Sequence, residues 1–232
     1  MTVDRTWTPD VLEAFQRELA ARWLAEPQWR PPLDRPVVVG GVFVASARGN
    51  EGLGSAGDRA WAASVLIEGG GLVDSSVVRG YLDAPYSPGL LAMREGRLLA
   101  EVVAQLRQVP DVILVNATGR DHPRGAGLAL HVGASVGVPT VGVTDRPLLA
   151  VGAQPGPEAG AIAELLLGDE LVGYRVRTRG GARPIIAHAG WRTDPPIACS
   201  LVLELCDTGR TPVPLREARR LARTARARDA AE

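Results

Sequence analysis

Lysine is absent from the 232 residues, and cysteine and aromatic residues are scarce. All 26 basic residues are arginine. Because arginine stays protonated, no side-chain amine of this chain can act as a general base or form a Schiff base. The two cysteines exclude a disulfide framework and a cysteine-rich zinc site. Any proton acceptor must therefore be a carboxylate, a histidine, a cysteine or a tyrosine.

Long apolar runs and an excess of charge of either sign are also missing. No run approaches the roughly 18 residues of a membrane span, and the N-terminal segment is too charged for a signal peptide. The 26 basic residues balance 26 acidic ones, which argues against a protein whose whole surface binds nucleic acid but leaves room for a local basic groove. We therefore expect a cytoplasmic protein that does not contact a membrane.

Hydrophobic periodicity and turn residues divide the chain into helices and strands. The runs 60–68 and 72–82 flank Gly69–Gly71, as the strands of a β-hairpin do. Further helices are predicted at 8–26, 88–108, 128–136, 195–207 and 215–227, buried strands at 37–45, 111–115 and 140–143, and a second hairpin at 171–178 and 183–189. Antiparallel strands come first and strand–helix alternation follows, which predicts an α/β fold with a mixed sheet flanked by helices.

No linker is long enough to divide the chain, so a single domain over residues 1–232 is expected. Within it we expect an N-terminal helix at 8–26, an α/β core at 37–208 and a C-terminal helix at 215–229.

Three segments carry specific motifs. Pro85–Glu95 has the sequence P-Y-S-P-G-L-L-A-M-R-E, and Asp111–Arg124 has the sequence D-V-I-L-V-N-A-T-G-R-D-H-P-R. Arg210–Pro214 has the sequence R-T-P-V-P, with the arginine-rich segment Arg219–Arg223 after it. These segments resemble P-Y-x-P-G-L-L-x-x-R-E, D-x-I-L-V-D-G-x-G-x-x-H-P-R and R-x-P-x-P of the endonuclease V family. That family consists of metal-dependent repair nucleases that cut near deaminated bases such as inosine. The resemblance implies a ribonuclease-H-like fold, with the first motif forming a wedge followed by a helix.

The chain departs from the family pattern where the family holds its metal ion. The family's V-A-G-V-D in the first core strand is V-G-G-V-F here, so an aspartate is replaced by Phe43. The glutamate of the wedge motif is present as Glu95, whereas the aspartate of the second motif is Asn116. We expect these three residues side by side. Because Mg²⁺ needs converging carboxylates, two losses out of three predict no resident metal and no cofactor.

Two further departures affect the family's hydrolytic residues. The family's lysine after T-x-G-V corresponds to Asp145, which Arg146 follows. The family's late histidine, in S-P-G-H-R, corresponds to Trp191, which Arg192 follows. Four substitutions together indicate a former nuclease that has lost its magnesium-dependent centre.

The remaining acids and histidines are candidates for metal-free acid–base chemistry. Asp121 and His122 follow a core strand, where α/β sheets carry their chemistry, and can form a base with its orienting partner. The predicted catalytic set is Glu95, Asp121, His122, Asp145 and His188. Each member has a structural alternative, such as a leftover helix acid, a loop cap, an exposed ion pair or a strand-end histidine. His131, inside an apolar helix, is expected in the core.

A second set of residues is predicted to bind substrate. Tyr86 could stack on a flat substrate or pack against its own prolines, and Arg146 or Arg192 could hold an anion. The predicted set is Tyr86, Asn116, Arg146, Trp191 and Arg192. Six arginines lie between Arg216 and Arg228, where we expect a solvated helix face, with contact to phosphates as the alternative.

Three functions compete. The main hypothesis is a repurposed, metal-independent acid–base enzyme that acts on a small polar molecule with an anionic group, for example by elimination or ring closure in specialised metabolism. The first alternative is a pseudonuclease that binds nucleic acid or a partner subunit without cutting. The second is a residual endonuclease V that acts on inosine-containing nucleic acid through Glu95. Because phosphate neutralisation supplies most nucleic-acid affinity, the zero net charge predicts weak or no nucleic-acid binding.

Overall fold

A mixed sheet of eight strands is the centre of the computed structural model, which describes residues 7–47 and 52–231. The strands lie in the order β3-β2-β1-β4-β5-β8-β7-β6. The three central strands β1, β4 and β5 are parallel, and their outer neighbours are antiparallel. The strands are β1 (Val39–Ser46), β2 (Arg59–Glu68), β3 (Gly71–Tyr81), β4 (Val112–Val115), β5 (Thr140–Thr144), β6 (Ile162–Leu167), β7 (Glu170–Val176) and β8 (Ile185–Ala189).

Five helices cover the two faces of the sheet. They are α1 (Pro9–Ala25), α2 (Leu91–Ala104), α3 (Leu128–Val136), α4 (Pro195–Glu204) and α5 (Val213–Asp229). Capping side chains start two of them, because Thr8 accepts the Val11 N–H at 3.4 Å and Asp194 accepts the Ile197 N–H at 2.8 Å. Each of these helices also begins with proline, whose missing N–H has no helical partner to lose.

Alternation along β4 divides the core between the two faces. Ile113 and Val115 pack with α1, α2 and α3, whereas Val112 and Leu114 pack with α4 and the first turn of α5. As expected, His131 is a core residue, with its ring centroid 5.3 Å from that of Trp7 and 5.6 Å from that of Phe15. Burial lowers the pKa of His131 to about 4, so it is neutral near pH 7.

Helix α5 approaches strand β1 very closely. A Cβ atom on Gly41 would stand 2.3 Å from the carbonyl of Pro214, so this contact requires glycine. The contact brings the second turn of α5 beside Phe43 of β1. This placement decides which arginines of α5 reach the sheet edge.

Strand β6 and the start of helix α2 differ most from the predicted elements. Strand β6 was not predicted; it pairs with β7 as an edge hairpin in which Ile162 is 49% exposed. Helix α2 begins at Leu91 rather than residue 88, because Gly89 has a φ of +74°, outside helical geometry. Among the helices described here, each is too short or too polar to cross a bilayer.

Candidate functional site

The three positions of the family's carboxylates meet at one edge of the sheet. Val42 and Val115 are the last parallel pair of β1 and β4, and Phe43 and Asn116 follow them directly. Glu95, in the second turn of α2, lines the same pocket of about 180 Å³ as these two residues. The expected grouping of Phe43, Glu95 and Asn116 is therefore confirmed. We call this cavity the edge pocket.

Glu95 is an acid in apolar surroundings. It lines the edge pocket among side chains such as Leu91, Leu99 and Leu128. Burial raises the pKa of Glu95 to about 7, against a smaller opposing effect of Arg94. The Arg94 guanidinium is held elsewhere, because Nη1 donates to the Ala84 carbonyl at 2.7 Å. Because its pKa is close to neutral pH, Glu95 can gain or lose a proton there.

Arginines of α5 surround the other two positions. Cζ of Arg219 lies 5.1 Å from the centroid of the Phe43 ring, and Cζ of Arg223 lies 5.9 Å from it. Arg219 also donates from Nη2 to Oδ1 of Asn116 at 3.3 Å. The sequence predicted a solvated helix face here, with contact to phosphates as the alternative. The spacing of Arg219 and Arg223, four residues apart after the R-T-P-V-P motif, was the available indication that they act together.

The donor set at this edge does not fit a divalent cation. A magnesium site needs several converging oxygen ligands with negative charge, and here one position offers a ring, one a neutral amide and only Glu95 a carboxylate. In residues 7–47 and 52–231, no group of three or more histidine, cysteine, aspartate or glutamate side chains could hold a metal ion. The Arg219 guanidinium beside Asn116 would also repel a cation.

A second pocket of about 180 Å³ adjoins the first, and Tyr86, Leu91, Asn116 and Leu128 line both. We call it the wedge pocket, because the Pro85–Glu95 motif forms one side of it. Its further lining residues are Gln16, Gly89, Ala117, Thr118, His122, Thr144 and Leu148. Tyr86 is 42% exposed, so part of its side chain is accessible to solvent, and its role in stacking stays a prediction.

One carbonyl group holds the wedge loop in place. The Gly89 oxygen accepts hydrogen bonds from Gln16 Nε2 at 3.0 Å, His122 Nε2 at 3.0 Å and Arg124 Nη2 at 2.8 Å. His122 Nδ1 accepts the Arg124 N–H at 3.2 Å, so the ring proton lies on Nε2. Burial lowers the pKa of His122 to about 4. Neutral His122 therefore lines the pocket with both nitrogens already engaged, as a positioning residue for the wedge.

Asp121 and His122 are adjacent in sequence but have different hydrogen-bond partners. Asp121 is fully buried, and its carboxylate accepts the N–H groups of Leu148, Leu149 and Ala150 at 2.6, 2.8 and 2.8 Å. These bonds anchor the loop after β5. Among the hydrogen bonds of the described residues, none joins Asp121 to His122.

His188 lies beneath the wedge pocket rather than in it. Its Nδ1 is 3.9 Å from Asp121 Oδ2, too far for a hydrogen bond. Its Nε2 is 2.8 Å from Thr144 Oγ1, which itself donates to the Arg146 carbonyl at 2.7 Å. Burial lowers the pKa of His188 to about 4, against the opposing charge of Asp121. Neutral His188 therefore donates its Nε2 proton to Thr144 Oγ1. Of these two hydrogen-bonded side chains, only Thr144 lines the wedge pocket.

The other predicted residues lie outside both pockets. Asp145 is exposed and forms an ion pair with Arg210, while Arg146 is exposed beside it. Trp191 is 3% exposed and packs in the core, so the ring fills space rather than binding substrate. Arg192 donates from Nε to the Pro27 carbonyl at 3.2 Å and thereby fastens the segment after α1.

Known proteins resemble this chain over most of its length. Endonuclease V of Methanopyrus kandleri is 38% identical over 209 residues, which cover 90% of this chain and 85% of that protein. The crystal structure of endonuclease V from Streptomyces avermitilis covers 100% of this chain and 98% of its own, with a TM-score of 0.82 and 31% identity. Ciona intestinalis endonuclease V, solved with a 24mer DNA that contains an inosine, has a TM-score of 0.71 at 21% identity, covers 92% of this chain and 95% of its own, and shows the fold alone.

These comparisons confirm the ribonuclease-H-like α/β fold and correct the expected function. A repurposed metal-free enzyme of specialised metabolism, or a pseudonuclease, was the wrong expectation, because the relatives are named endonuclease V. Missing ligands show what a site binds poorly, but they do not specify a new substrate. The expectation of weak or no nucleic-acid binding is contradicted as well, because the curated relatives are named endonuclease V and the Ciona intestinalis protein of that name is solved with DNA. The zero net charge of the whole chain does not describe its local charge distribution, because arginine is concentrated on α5.

The family model described as Endonuclease V matches residues 18–220. That range includes the wedge motif, the second motif, the R-T-P-V-P segment and the Arg219 position. Together with the relatives, this match shows that the chain belongs to the endonuclease V family.

Proposed function

We propose that this protein acts as an endonuclease V on nucleic acid that contains a deaminated base, with hypoxanthine, the base of inosine, as the first candidate. The observation that carries the proposal is the pair of adjoining pockets, which share Tyr86 and Asn116. A base turned out of the stack would enter the wedge pocket, and its backbone would then lie beside the edge pocket. The inosine-containing DNA bound by the Ciona intestinalis protein supports this substrate.

The size and polarity of the wedge pocket suit a single base. At about 180 Å³ it is smaller than the roughly 300–1,000 Å³ of pockets for drug-sized ligands. Its lining combines the Tyr86 ring with polar groups of Gln16, Thr118 and Thr144. Proteins that bind extruded bases use the same combination of stacking and hydrogen bonds to the edge of the base.

Cleavage depends on Glu95 in this proposal. It is the single carboxylate among the side chains that line the edge pocket, and its pKa of about 7 suits removal of a proton from an attacking water. No step through a divalent cation is derived, because the donor set does not fit one. We therefore expect slow cleavage, with selective binding of the deaminated base as the stronger activity.

The test compares the binding of the full chain to two duplexes. One has a single central inosine, and the other has adenosine, the base before deamination, at the same position. Fluorescence anisotropy measures binding, and denaturing gels measure nicking. We expect at least about tenfold tighter binding of the inosine duplex and slow nicking that Glu95→Gln lowers by roughly 10²–10⁴-fold. Glu101→Gln, on the same helix but ion-paired with Arg97, is the matched control. Equal affinity for both duplexes would overturn the proposed function.

The proposed substrate also bears on location. A protein that acts on nucleic acid, without a membrane-spanning helix in its described residues, is proposed to work in the cytoplasm.

A further inference from the structure

Two arginines of α5, Arg219 and Arg223, face the ring that stands at the family's first carboxylate position. They are four residues apart and so lie on one side of the helix, with both guanidinium groups within 6 Å of the Phe43 centroid. Arg219 also donates to Asn116, the other substituted position. Both substitutions at the sheet edge therefore contact the same guanidinium. We call Arg219 and Arg223 the arginine pair.

The charge of the arginine pair is not neutralised within the described part of the chain. Neither residue forms an ion pair there, whereas neighbouring arginines do, namely Arg210 with Asp145, Arg216 with Asp207 and Arg220 with Glu217. Arg219 Nε is buried and has no hydrogen-bond partner. Burial, followed by the charges of Arg223 and Arg210, lowers the pKa of Arg219. Together these observations describe two neighbouring cations that no carboxylate of the described residues neutralises.

The contacts of the arginine pair do not offset this concentration of charge. A cation over an aromatic ring gains only about 0.5–1 kcal/mol at an exposed site, and Asn116 contributes a neutral acceptor. An anion with several oxygens would satisfy the free donors of both guanidinium groups at once. Phosphate is the best match, because the planar guanidinium donates two parallel hydrogen bonds to phosphate oxygens.

We propose that the arginine pair binds a backbone phosphate of the nucleic acid at the sheet edge where other family members hold a divalent cation. Phe43 and Asn116 then belong to one coordinated change. An aspartate at either position would form an ion pair with Arg219 and occupy the donors that the phosphate needs. The ring and the amide hold the guanidinium groups in place without neutralising them.

A phosphodiester is the expected source of the phosphate, rather than a free phosphate ion. Tyr86 and Asn116 line both pockets, so a base in the wedge pocket places its own backbone within reach of the arginine pair. This inference rests on the proposed function, because it assumes that nucleic acid occupies the site.

The first experiment measures the affinity of the inosine duplex in EDTA for the wild-type chain, Arg219→Ala and Arg228→Ala. Arg228 is the matched control because it is an exposed arginine on the opposite side of the same helix. We expect Arg219→Ala to weaken binding about ten- to hundredfold, as the loss of a charge-assisted hydrogen bond does, and Arg228→Ala to weaken it less than about threefold. Arg219→Lys, which keeps the charge but loses the fork, should fall between them. Equal losses for the two alanine variants would overturn the proposal.

The second experiment identifies the phosphate. Neutral methylphosphonate groups replace single linkages on either side of the inosine, and each duplex is measured with the wild-type chain and with Arg219→Ala. One linkage should weaken wild-type binding about tenfold or more but leave Arg219→Ala almost unaffected, because the two changes remove the same contact. Removal of this contact, by the neutral linkage or by Arg219→Ala, should also reduce the magnitude of the slope of log affinity against log salt by about 0.9. Full additivity at every linkage would overturn the proposal.

Failure of this inference is distinguishable from failure of the proposed function. If the wild-type chain does not prefer inosine over adenosine duplexes, the proposed function fails first. If it prefers inosine but Arg219→Ala behaves like Arg228→Ala, only the arginine pair is refuted. Inorganic phosphate is the third probe. If phosphate alone stabilises the wild-type chain saturably but does not compete with the duplex for binding, the site is assigned to free phosphate. That result would overturn the proposal that the arginine pair binds a phosphodiester. Thermal unfolding of each variant verifies that it is folded.

Discussion

The wedge pocket and the edge pocket share four lining residues, yet they differ in how their polar groups are used. In the wedge pocket, the Gly89 oxygen accepts three donors and His122 uses both nitrogens, so its groups are mutually satisfied. In the edge pocket, Glu95 is an acid among apolar side chains, and Arg219, which contacts the lining residues Phe43 and Asn116, has a buried Nε without a hydrogen-bond partner. The hydrogen bonds of the wedge pocket fix the position of the wedge loop, whereas the groups at the edge pocket remain available to a ligand. We therefore expect mutations to separate the proposed binding of the base from the proposed cleavage of the backbone.

Restoring the family's carboxylates should alter the edge pocket most. We expect Phe43→Asp and Asn116→Asp, combined with Arg219→Ala so that the guanidinium neither pairs with the new carboxylates nor repels the cation, to join Glu95 in a set of three carboxylates. This triple variant should show saturable stabilisation by millimolar Mg²⁺. A ligand at about a hundred times its dissociation constant stabilises by roughly 2.7 kcal/mol, and nicking of the inosine duplex should rise by at least about a hundredfold. Thermal unfolding with and without Mg²⁺ measures the first effect, and gels measure the second.

The wild-type chain should show no saturable response to Mg²⁺ under the same conditions. Phe43→Asn combined with Arg219→Ala, with Asn116 unchanged, is the neutral control for the loss of the ring and of the guanidinium. If the triple variant responds to Mg²⁺ no more than this control does, the explanation of the edge pocket by its missing carboxylates is wrong.

The pH dependence of stability should identify the isolated acid of the edge pocket. The folded pKa of Glu95, about 7, lies above its ordinary value of 4.5, so the native state binds more protons between these values. Stability from Glu95 is therefore complete below pH 4.5 and falls as the pH rises to 7, by on the order of 3 kcal/mol. Denaturant unfolding at pH 5 and pH 8 should show this fall in the difference between the unfolding free energies of the wild-type chain and Glu95→Gln.

The buried histidines act in the opposite direction. His122, His131 and His188 have folded pKa values of about 4, below the ordinary 6.5, so stability falls as the pH drops through that range. Comparison of Glu95→Gln with the wild-type chain cancels the histidine contribution. If the difference between their unfolding free energies is the same at pH 5 and pH 8, the pKa of Glu95 is not raised in the folded state.

The smallest of the three effects should come from the wedge pocket. His122→Ala removes one of the donors to the Gly89 oxygen and leaves Gln16 and Arg124 to hold it. We expect the free energy of unfolding to fall by about 1–3 kcal/mol and the preference for inosine over adenosine to narrow about tenfold. Urea unfolding and anisotropy measure these changes. The pH profile of nicking should stay the same, whereas a shift in that profile would make His122 a base rather than a positioning residue.

Local sequence rules predicted those elements whose geometry is set by near neighbours. The β2–β3 hairpin follows from apolar runs around Gly69 and Gly70, which have φ values of +56° and +82°. Strand β6 was missed because it is a solvent-facing edge strand that depends on pairing with β7. The start of α2 was misplaced because the wedge loop, held by side chains distant in sequence, overrides helix propensity.

The sequence by itself determined the family, the fold and the absence of two carboxylates, because each of these depends on residue identity at motif positions. Only the tertiary structure decided which groups took over the sheet edge. Arg219 lies 103 residues after Asn116, and it reaches that amide because Gly41 lets α5 pack directly on β1. Likewise, Asp121 and His122 are adjacent in sequence but hold different loops. Contacts of this kind depend on where packed elements bring side chains together, and residue spacing along the chain does not contain that information.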